Sequence, residues 1–155
     1  MDGMVPVGEI KSAMKMGMWM NRVLVAVAIG FVILAGVLSV AIPYDGMLKW
    51  TGLLYISGGV SLISIVAGFW IRYSLIPSLG LQPTMKGMGI HAIWMSLIAG
   101  FHEASGLLWA ICSFLYQDPT GLVGTGVHVF LLALMWNAGT DLERFSSQEE
   151  AESES

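Results

Sequence analysis

Glu103 is the residue whose type and position point most directly to chemistry, because it is a carboxylic acid inside a long apolar stretch. Between Lys86 and Asp118 it is the one formally charged residue. If this stretch crosses a bilayer, a carboxylate there is costly; such groups usually face protein or water and often bind ions or protons. The position predicts that Glu103 is an intramembrane proton or cation site. The alternative is a protonated glutamate that only hydrogen-bonds neighbouring helices.

Small residues share a helix face with Glu103, and the preceding apolar run offers a similar surface. Small side chains allow two helices to approach closely in lipid. We therefore predict that Glu103 packs in a seam between helices, within this chain or against a neighbouring subunit. The residues around Glu103 are Ser96, Ala99, Gly100, Gly106 and Ala110, and those of the preceding run are Ser57, Gly58, Ser61, Ser64 and Gly68.

Three histidines are the other candidate groups: His91, His102 and His128. Together with Ser61 and Ser64 they are candidate polar partners of Glu103. Two histidines at one depth on adjacent helices could hold the iron of haem b. An even turn at Asp118 would, however, leave His102 and His128 at depths that differ by roughly 9 Å, at about 1.5 Å per residue. Hydrogen-bonding or pore-lining roles are therefore favoured over haem ligation, and no cofactor or metal is expected.

Four apolar runs, at residues 23–44, 50–71, 87–117 and 119–140, must position these groups. Each is long enough for a helix to cross a hydrocarbon core about 30 Å thick. Charged residues make up 12% of the 155 residues, about half the fraction in an ordinary soluble domain. The sequence therefore predicts an all-α integral membrane protein whose residues 23–140 form four transmembrane helices, arranged as two antiparallel hairpins.

The segments outside these runs predict the orientation. Residues 1–22 carry apolar groups at helical spacing, which favours a short interfacial helix, and the acidic residues 141–155 are typical of a disordered tail. Basic residues lie mainly on one side, so both termini are predicted to be cytoplasmic. On that side are Lys11, Lys15, Arg22, Arg72, Lys86 and Arg144; Lys49 is on the other.

Several functional classes are disfavoured by what the sequence lacks. No basic surface remains for nucleic acid once the spans are placed. The single cysteine, Cys112, can form no internal disulfide, and no zinc-type spacing accompanies it. No nucleophile–base arrangement or phosphate-binding loop is recognisable. The chain is therefore not expected to be an enzyme on its own.

Residues 50–117 resemble a known membrane hairpin. A serine- and glycine-rich run is followed by a loop with Arg72 and Gln82-Pro83, and then by Glu103, twenty residues after that proline. This pattern is similar to the proteolipid c-subunit hairpin of rotary ATP synthases and ATPases. The resemblance implies that Glu103 binds the translocated proton or sodium ion. The chain departs from that family because nine residues separate Arg72 from Gln82, the glycine repeat is not clean, and the carboxylate is not on the last span.

These observations predict a membrane-embedded subunit of a larger complex with a proton or cation site at Glu103. Its partners would be the lipid bilayer and other membrane subunits or identical copies of the chain. One alternative is a structural accessory subunit that packs around a catalytic or redox partner. Another is an electron-transfer subunit with haem b held by His102 and His128.

Overall fold

The computed structural model describes residues 7–42, 51–81 and 85–136, and all regular structure within these ranges is helical. The prediction of an all-α chain is confirmed. The predicted acidic tail, Lys49 and Gln82-Pro83 lie outside the described residues. The helices are α1, Val7–Ala41; α2, Gly52–Trp70; a π-helical segment, Ile71–Leu75; α3, Ile76–Ser78; α4, Met85–Tyr116; and α5, Thr120–Leu134.

Within these ranges, three helical stretches are long and apolar enough to cross a membrane: Lys15–Ala41, Gly52–Ser78 and Lys86–Tyr116. The fourth predicted span corresponds to α5, which has 15 residues. At about 1.5 Å per residue α5 is roughly 22 Å long, shorter than the hydrocarbon core. An interfacial helix was expected in residues 1–22. Of these, residues 7–22 continue without a break into the first apolar run as part of α1.

Helix α4 contacts each of α1, α2 and α5, and α1 also contacts α5. Near its start α4 places the Met88 side chain against Gly17 of α1, and further along it places Gly106 against Val32. Residue numbers therefore increase together along both helices, so α1 and α4 run parallel. Their interface includes part of a buried apolar cluster formed by Val25, Ala28, Val32, Ile71, Ile76, Met95, Ile98, Ala99, Leu132 and Met135.

Helices α2 and α5 both run antiparallel to α4. Along α2, Ser57 lies beside Cys112 and Gly68 lies beside His102. Along α5, Thr125 donates a hydrogen bond to the Gly106 carbonyl at 3.3 Å, whereas the start of α5 lies near the end of α4. The described part of the bundle therefore brings the starts of α1 and α4 to the same end as the finish of α2.

The turn from α4 to α5 is uneven. Gln117, with a φ of 51°, follows the last turn of α4 and sends the chain back along that helix. Ser113 Oγ then donates to the Asp118 carbonyl at 3.0 Å, so α5 begins beside Ser113 instead of level with Tyr116. The close approach is possible because Gly121 has no side chain: a Cβ there would lie 2.5 Å from the Trp109 carbonyl oxygen.

Asp118 also fixes the start of α5. Its Oδ1 accepts hydrogen bonds from the Thr120 amide at 2.8 Å and from the Thr120 hydroxyl. These two bonds stabilise the carboxylate and hold the pKa of Asp118 below its usual value. Hydrogen bonding by this exposed loop residue therefore satisfies a backbone donor that the first turn of α5 would otherwise leave open.

The π-helical segment Ile71–Leu75 follows from the proline just beyond it. Pro77 has no N–H to donate, and in a regular α-helix its ring would clash with the carbonyl four residues earlier. A wider turn before Pro77 relieves this clash while the chain stays helical. The segment carries Arg72, whose Nη1 donates to the Leu134 carbonyl of α5 at 3.4 Å.

Candidate functional site

His102 of α4 and His128 of α5 lie side by side within the bundle, 4% and 1% exposed. Their Nδ1 atoms are 3.2 Å apart, and their ring planes are tilted by 41°. Hydrogen bonding between two imidazole nitrogens requires that one donates and the other accepts. One of the two Nδ1 atoms must therefore carry a hydrogen that points at the other ring.

The predicted difference in depth between these histidines is wrong. That prediction assumed an even turn at Asp118, whereas the uneven turn starts α5 beside Ser113 and brings His128 level with His102. The closeness does not make the pair a haem site. The two rings hydrogen-bond directly to each other, which leaves no room for the porphyrin that would separate two axial ligands. The residues present do not fit haem b held in this way.

The histidine pair continues into α2 through a serine. His128 Nε2 lies 2.9 Å from Ser61 Oγ, and Trp109 Nε1 donates to the same oxygen at 2.7 Å. Because the indole N–H can only donate, Ser61 must accept from Trp109, and its own hydroxyl hydrogen remains available for His128. The result is a connected line of four polar side chains, which we call the histidine–serine line: His102, His128, Ser61 and Trp109.

Two hydrogen arrangements satisfy this line. In the first, Ser61 donates to His128 Nε2 and His128 Nδ1 donates to His102, so the hydrogen of His102 is on Nε2. In the second, His102 Nδ1 donates to His128, and His128 Nε2 donates to Ser61. Both imidazoles are neutral in both arrangements. The line can therefore hold its hydrogens in two ways without changing its heavy-atom geometry.

The histidine–serine line belongs to a longer polar contact between α2 and α4. Ser64 and Ser105 hydroxyls lie 2.7 Å apart, and Ser57 Oγ lies 3.0 Å from Cys112 Sγ. This contact, the α2–α4 seam, comprises Ser57, Ser61, Ser64 and Gly68 on α2 and His102, Ser105, Trp109 and Cys112 on α4. Both sets repeat at three- and four-residue steps, so each lies on one face of its helix.

The small surface predicted on α2 is therefore in contact with α4, but with the face of His102 and not with that of Glu103. Gly58, which was included in that surface, is the exception: nothing lies within 4 Å of where its Cβ would be. None of the hydrogen bonds of the seam includes Glu103. Ser61 and Ser64, predicted as partners of Glu103, bond instead to His128 and Ser105.

Glu103 is half-buried and lies at the border between two parts of its own face. Gly106 belongs to the part that packs on α1, where a Cβ would lie 2.7 Å from Val32 Cγ1. Gly100 belongs to the exposed part, and a Cβ there would meet nothing within 4 Å. Of the predicted packing residues, Ala99, Gly106 and Ala110 are buried, whereas Ser96 and Gly100 are exposed.

His91 is also buried, but it belongs to a different region. It lines a small cavity between α1 and α4 together with Asn21, Met88 and Met95. Eleven residues of helix separate it from His102, a distance of roughly 16 Å. Within the described residues no group of three or more histidine, cysteine, aspartate or glutamate side chains is placed to hold a metal ion.

Ser105 and Trp109 are members of the seam that were not predicted from the sequence, and Cys112 was considered only for disulfide and zinc chemistry. Their signal was the spacing from His102, which repeats at 105, 109 and 112 and matches the serine spacing on α2. No protein-family model, curated protein or solved structure matches this chain. The resemblance to the c-subunit hairpin therefore stays a prediction.

Proposed function

We propose that this chain is a multi-pass membrane subunit of a larger complex that passes protons within the bilayer at His102 and His128. The observation that carries the proposal is the 3.2 Å contact between their Nδ1 atoms, deep among apolar helices. Ionisable groups in such positions commonly form proton relays. As such a subunit, the chain would act within the complex and not as an enzyme on its own.

The proton transfer follows from the two hydrogen arrangements of the histidine–serine line. A proton that binds His102 Nε2 allows the Nδ1 hydrogen of His102 to pass to His128 Nδ1. The Nε2 hydrogen of His128 then passes to Ser61 Oγ, and the hydroxyl hydrogen of Ser61 passes to a water molecule, which becomes a hydronium ion. One proton enters at His102 and one leaves at Ser61, and both rings end neutral. The same transfers in reverse carry a proton from Ser61 to His102 and restore the starting arrangement.

The proposed placement is four crossings with both termini in the cytoplasm. It is supported by the basic residues of the described chain, because Lys15, Arg22, Arg72 and Lys86 all lie towards one end of the bundle. Large apolar side chains such as Phe31, Ile63 and Phe130 are exposed on the outside, which suits lipid or other membrane subunits.

Proton flux into vesicles of native membrane, with the chain in its own complex, tests the proposed function. His102→Gln and His128→Gln replace the imidazole with an amide that cannot take up a proton at one nitrogen and release one at the other, and each should lower the flux at least tenfold. Ser96→Ala is the control, because Ser96 is exposed and, among the described residues, bonds only to the Ala92 carbonyl of its own helix. Flux at the wild-type level in both histidine variants, with the protein present in equal amount, would refute the proposal.

Glu103 is the second candidate for the transported proton or cation. Its half-buried position beside the open surface at Gly100 favours contact with a neighbouring subunit or an identical copy. Glu103→Gln keeps the size of the side chain and removes the charge. If Glu103 carries the ion, the variant should assemble normally and lose transport. Full transport in Glu103→Gln removes this role and leaves the histidines as the site.

The structural accessory role makes the opposite prediction for the same variants. The histidine variants and Glu103→Gln should then leave flux unchanged, whereas Gly100→Leu should disrupt assembly because it enlarges an exposed position on α4. Native mass spectrometry of the gently extracted complex measures this directly. A ring of identical copies would favour the c-subunit resemblance, and a one-to-one assembly with another protein would favour the accessory role.

A further inference from the structure

A cavity of about 50 Å³ lies beside His102, between the end of α2, the π-helical segment, α4 and α5. Its walls are mainly apolar and include Ile98 and Leu131. Its polar side chains among the described residues are His102 on α4 and Arg72 and Tyr73 on the π-helical segment. The cavity therefore connects the histidine–serine line with the end of the bundle where the basic residues gather.

His102 borders the cavity with Nε2, the ring nitrogen that does not contact His128. Nδ1 faces His128, whereas Nε2 points towards Gly68, where a Cβ would lie 3.2 Å from it. Within the described residues Nε2 makes no hydrogen bond, and it is not among the enclosed polar atoms that lack one. A small molecule in the cavity can therefore reach this nitrogen.

The chemistry of the cavity favours water as its occupant. A space of this size exceeds the roughly 10–15 Å³ that one water needs. Water can donate to Nε2 or accept from it, and so suits both hydrogen arrangements. A lipid chain would leave Nε2 in apolar surroundings without a partner, which is unfavourable.

We propose that this cavity is a water-filled inlet that delivers protons to His102 Nε2 from the Arg72 end of the bundle, and that the missing side chain of Gly68 keeps it open. This proposal rests on the proposed function and specifies the path by which protons reach His102. A hydronium ion in the inlet gives its proton to His102 Nε2 and remains as water. The Nδ1 hydrogen of His102 then passes to His128, so no further reactant is needed.

The test is deuterium exchange at the C2 carbon of each histidine, measured by mass spectrometry on the full chain in nanodiscs. This exchange needs solvent at the ring, and peptides containing His102 and His128 are read separately. In wild type His102 should exchange at least fivefold faster than His128. Gly68→Ala places a methyl group 3.1 Å from Ile98 Cγ2 and 3.2 Å from His102 Nε2, and should slow His102 at least fivefold.

Gly58→Ala is the matched control, because it makes the same change on the same helix where nothing lies within 4 Å; it should leave the His102 rate unchanged. Leu131→Trp fills the cavity from α5 and supplies the same test if Gly68→Ala does not fold. Equal exchange of His102 in wild type and in both filled variants overturns the inlet, as does wild-type exchange as slow as that of His128.

The exchange result separates the inlet from the proposed function. Slowed exchange in Gly68→Ala together with unchanged flux in His102→Gln supports the inlet and refutes proton transfer by the histidines. Unchanged exchange in the filled variants together with lost flux in His102→Gln refutes the inlet and keeps the transfer.

Discussion

At the residue scale, a buried hydroxyl needs a partner, and in the α2–α4 seam the serines find partners across the interface. Ser105 is fully buried, and its Oγ lies 2.7 Å from that of Ser64. Ser64 also donates to the Val60 carbonyl of its own helix at 2.8 Å, so Ser105 must be the donor in the contact between them whenever Ser64 makes that bond. The donor in the Ser64–Ser105 hydrogen bond is thus determined by the bond that Ser64 makes within α2.

Ser105→Ala removes this donor but leaves Ser64 bonded within α2. We therefore expect a moderate loss of about 0.6–1.7 kcal/mol in the free energy of unfolding, the range for hydrogen bonds between membrane helices. Denaturant unfolding in mixed micelles measures it. Ser96→Ala is the matched control, since Ser96 is exposed and, among the described residues, bonds only within α4. An equal loss of unfolding free energy in both variants would contradict a stabilising role for the seam.

The packing face of α2 was predictable from the sequence, but the residues that it packs against were not. The serine spacing identified one face of α2 correctly, because helical periodicity depends only on the chain itself. Which face of α4 it meets depends on how α1 and α5 share the remaining surface. Glu103 is conspicuous in the sequence because it is charged. The side chains that pack in the seam, such as Ser105 and Trp109, are residue types that are common in any membrane helix.

At the element scale, the closeness of α4 and α5 depends on one glycine. A Cβ at Gly121 would lie 2.5 Å from the Trp109 carbonyl oxygen and 2.6 Å from the Ser113 amide nitrogen. Both are backbone atoms, so neither can rotate away. Any side chain at Gly121 must therefore push the start of α5 away from α4 and, with it, disturb the alignment of His128 with His102.

Gly121→Ala should accordingly lower the free energy of unfolding by about 1–3 kcal/mol, the usual cost of overpacking. Gly126→Ala, on the same helix with nothing within 4 Å of the added methyl group, should instead be neutral or slightly stabilising, because alanine favours helix over glycine. Unfolding curves of the two variants and the wild type in the same detergent measure these free energies. Equal stability of the two variants would show that α5 does not depend on this close approach.

The sequence located the apolar helices because missing charge marks them, but it could not give their relative depth. Depth is set by the turn, where Ser113 bonds to the Asp118 carbonyl and Gln117 adopts a positive φ. Neither feature has a hydropathy signal. The same limit applies to α1: the apolar groups at helical spacing in residues 1–22 suggested a separate interfacial helix, yet they are compatible with one continuous helix.

At the scale of the whole molecule, the bundle has one basic end and an apolar circumference. Lys15, Arg22, Arg72 and Lys86 lie towards one end, because α1 and α4 begin where α2 finishes. The turn between α4 and α5, with Asp118 exposed, lies at the other end. By the positive-inside rule this asymmetry predicts that the basic end is cytoplasmic, and it would set the side from which the proposed inlet takes up protons.

Labelling of single cysteines in whole cells tests this orientation. Ser78→Cys at the basic end and Pro119→Cys at the opposite turn are both exposed positions, and each is placed in a Cys112→Ala background that removes the buried native thiol. A membrane-impermeant maleimide should label Pro119→Cys in intact cells, and Ser78→Cys only after permeabilisation. The reverse labelling pattern would show that the chain has the opposite orientation in the membrane. Labelling of both sites from outside would mean that α4, which connects their two ends of the bundle, does not cross the bilayer.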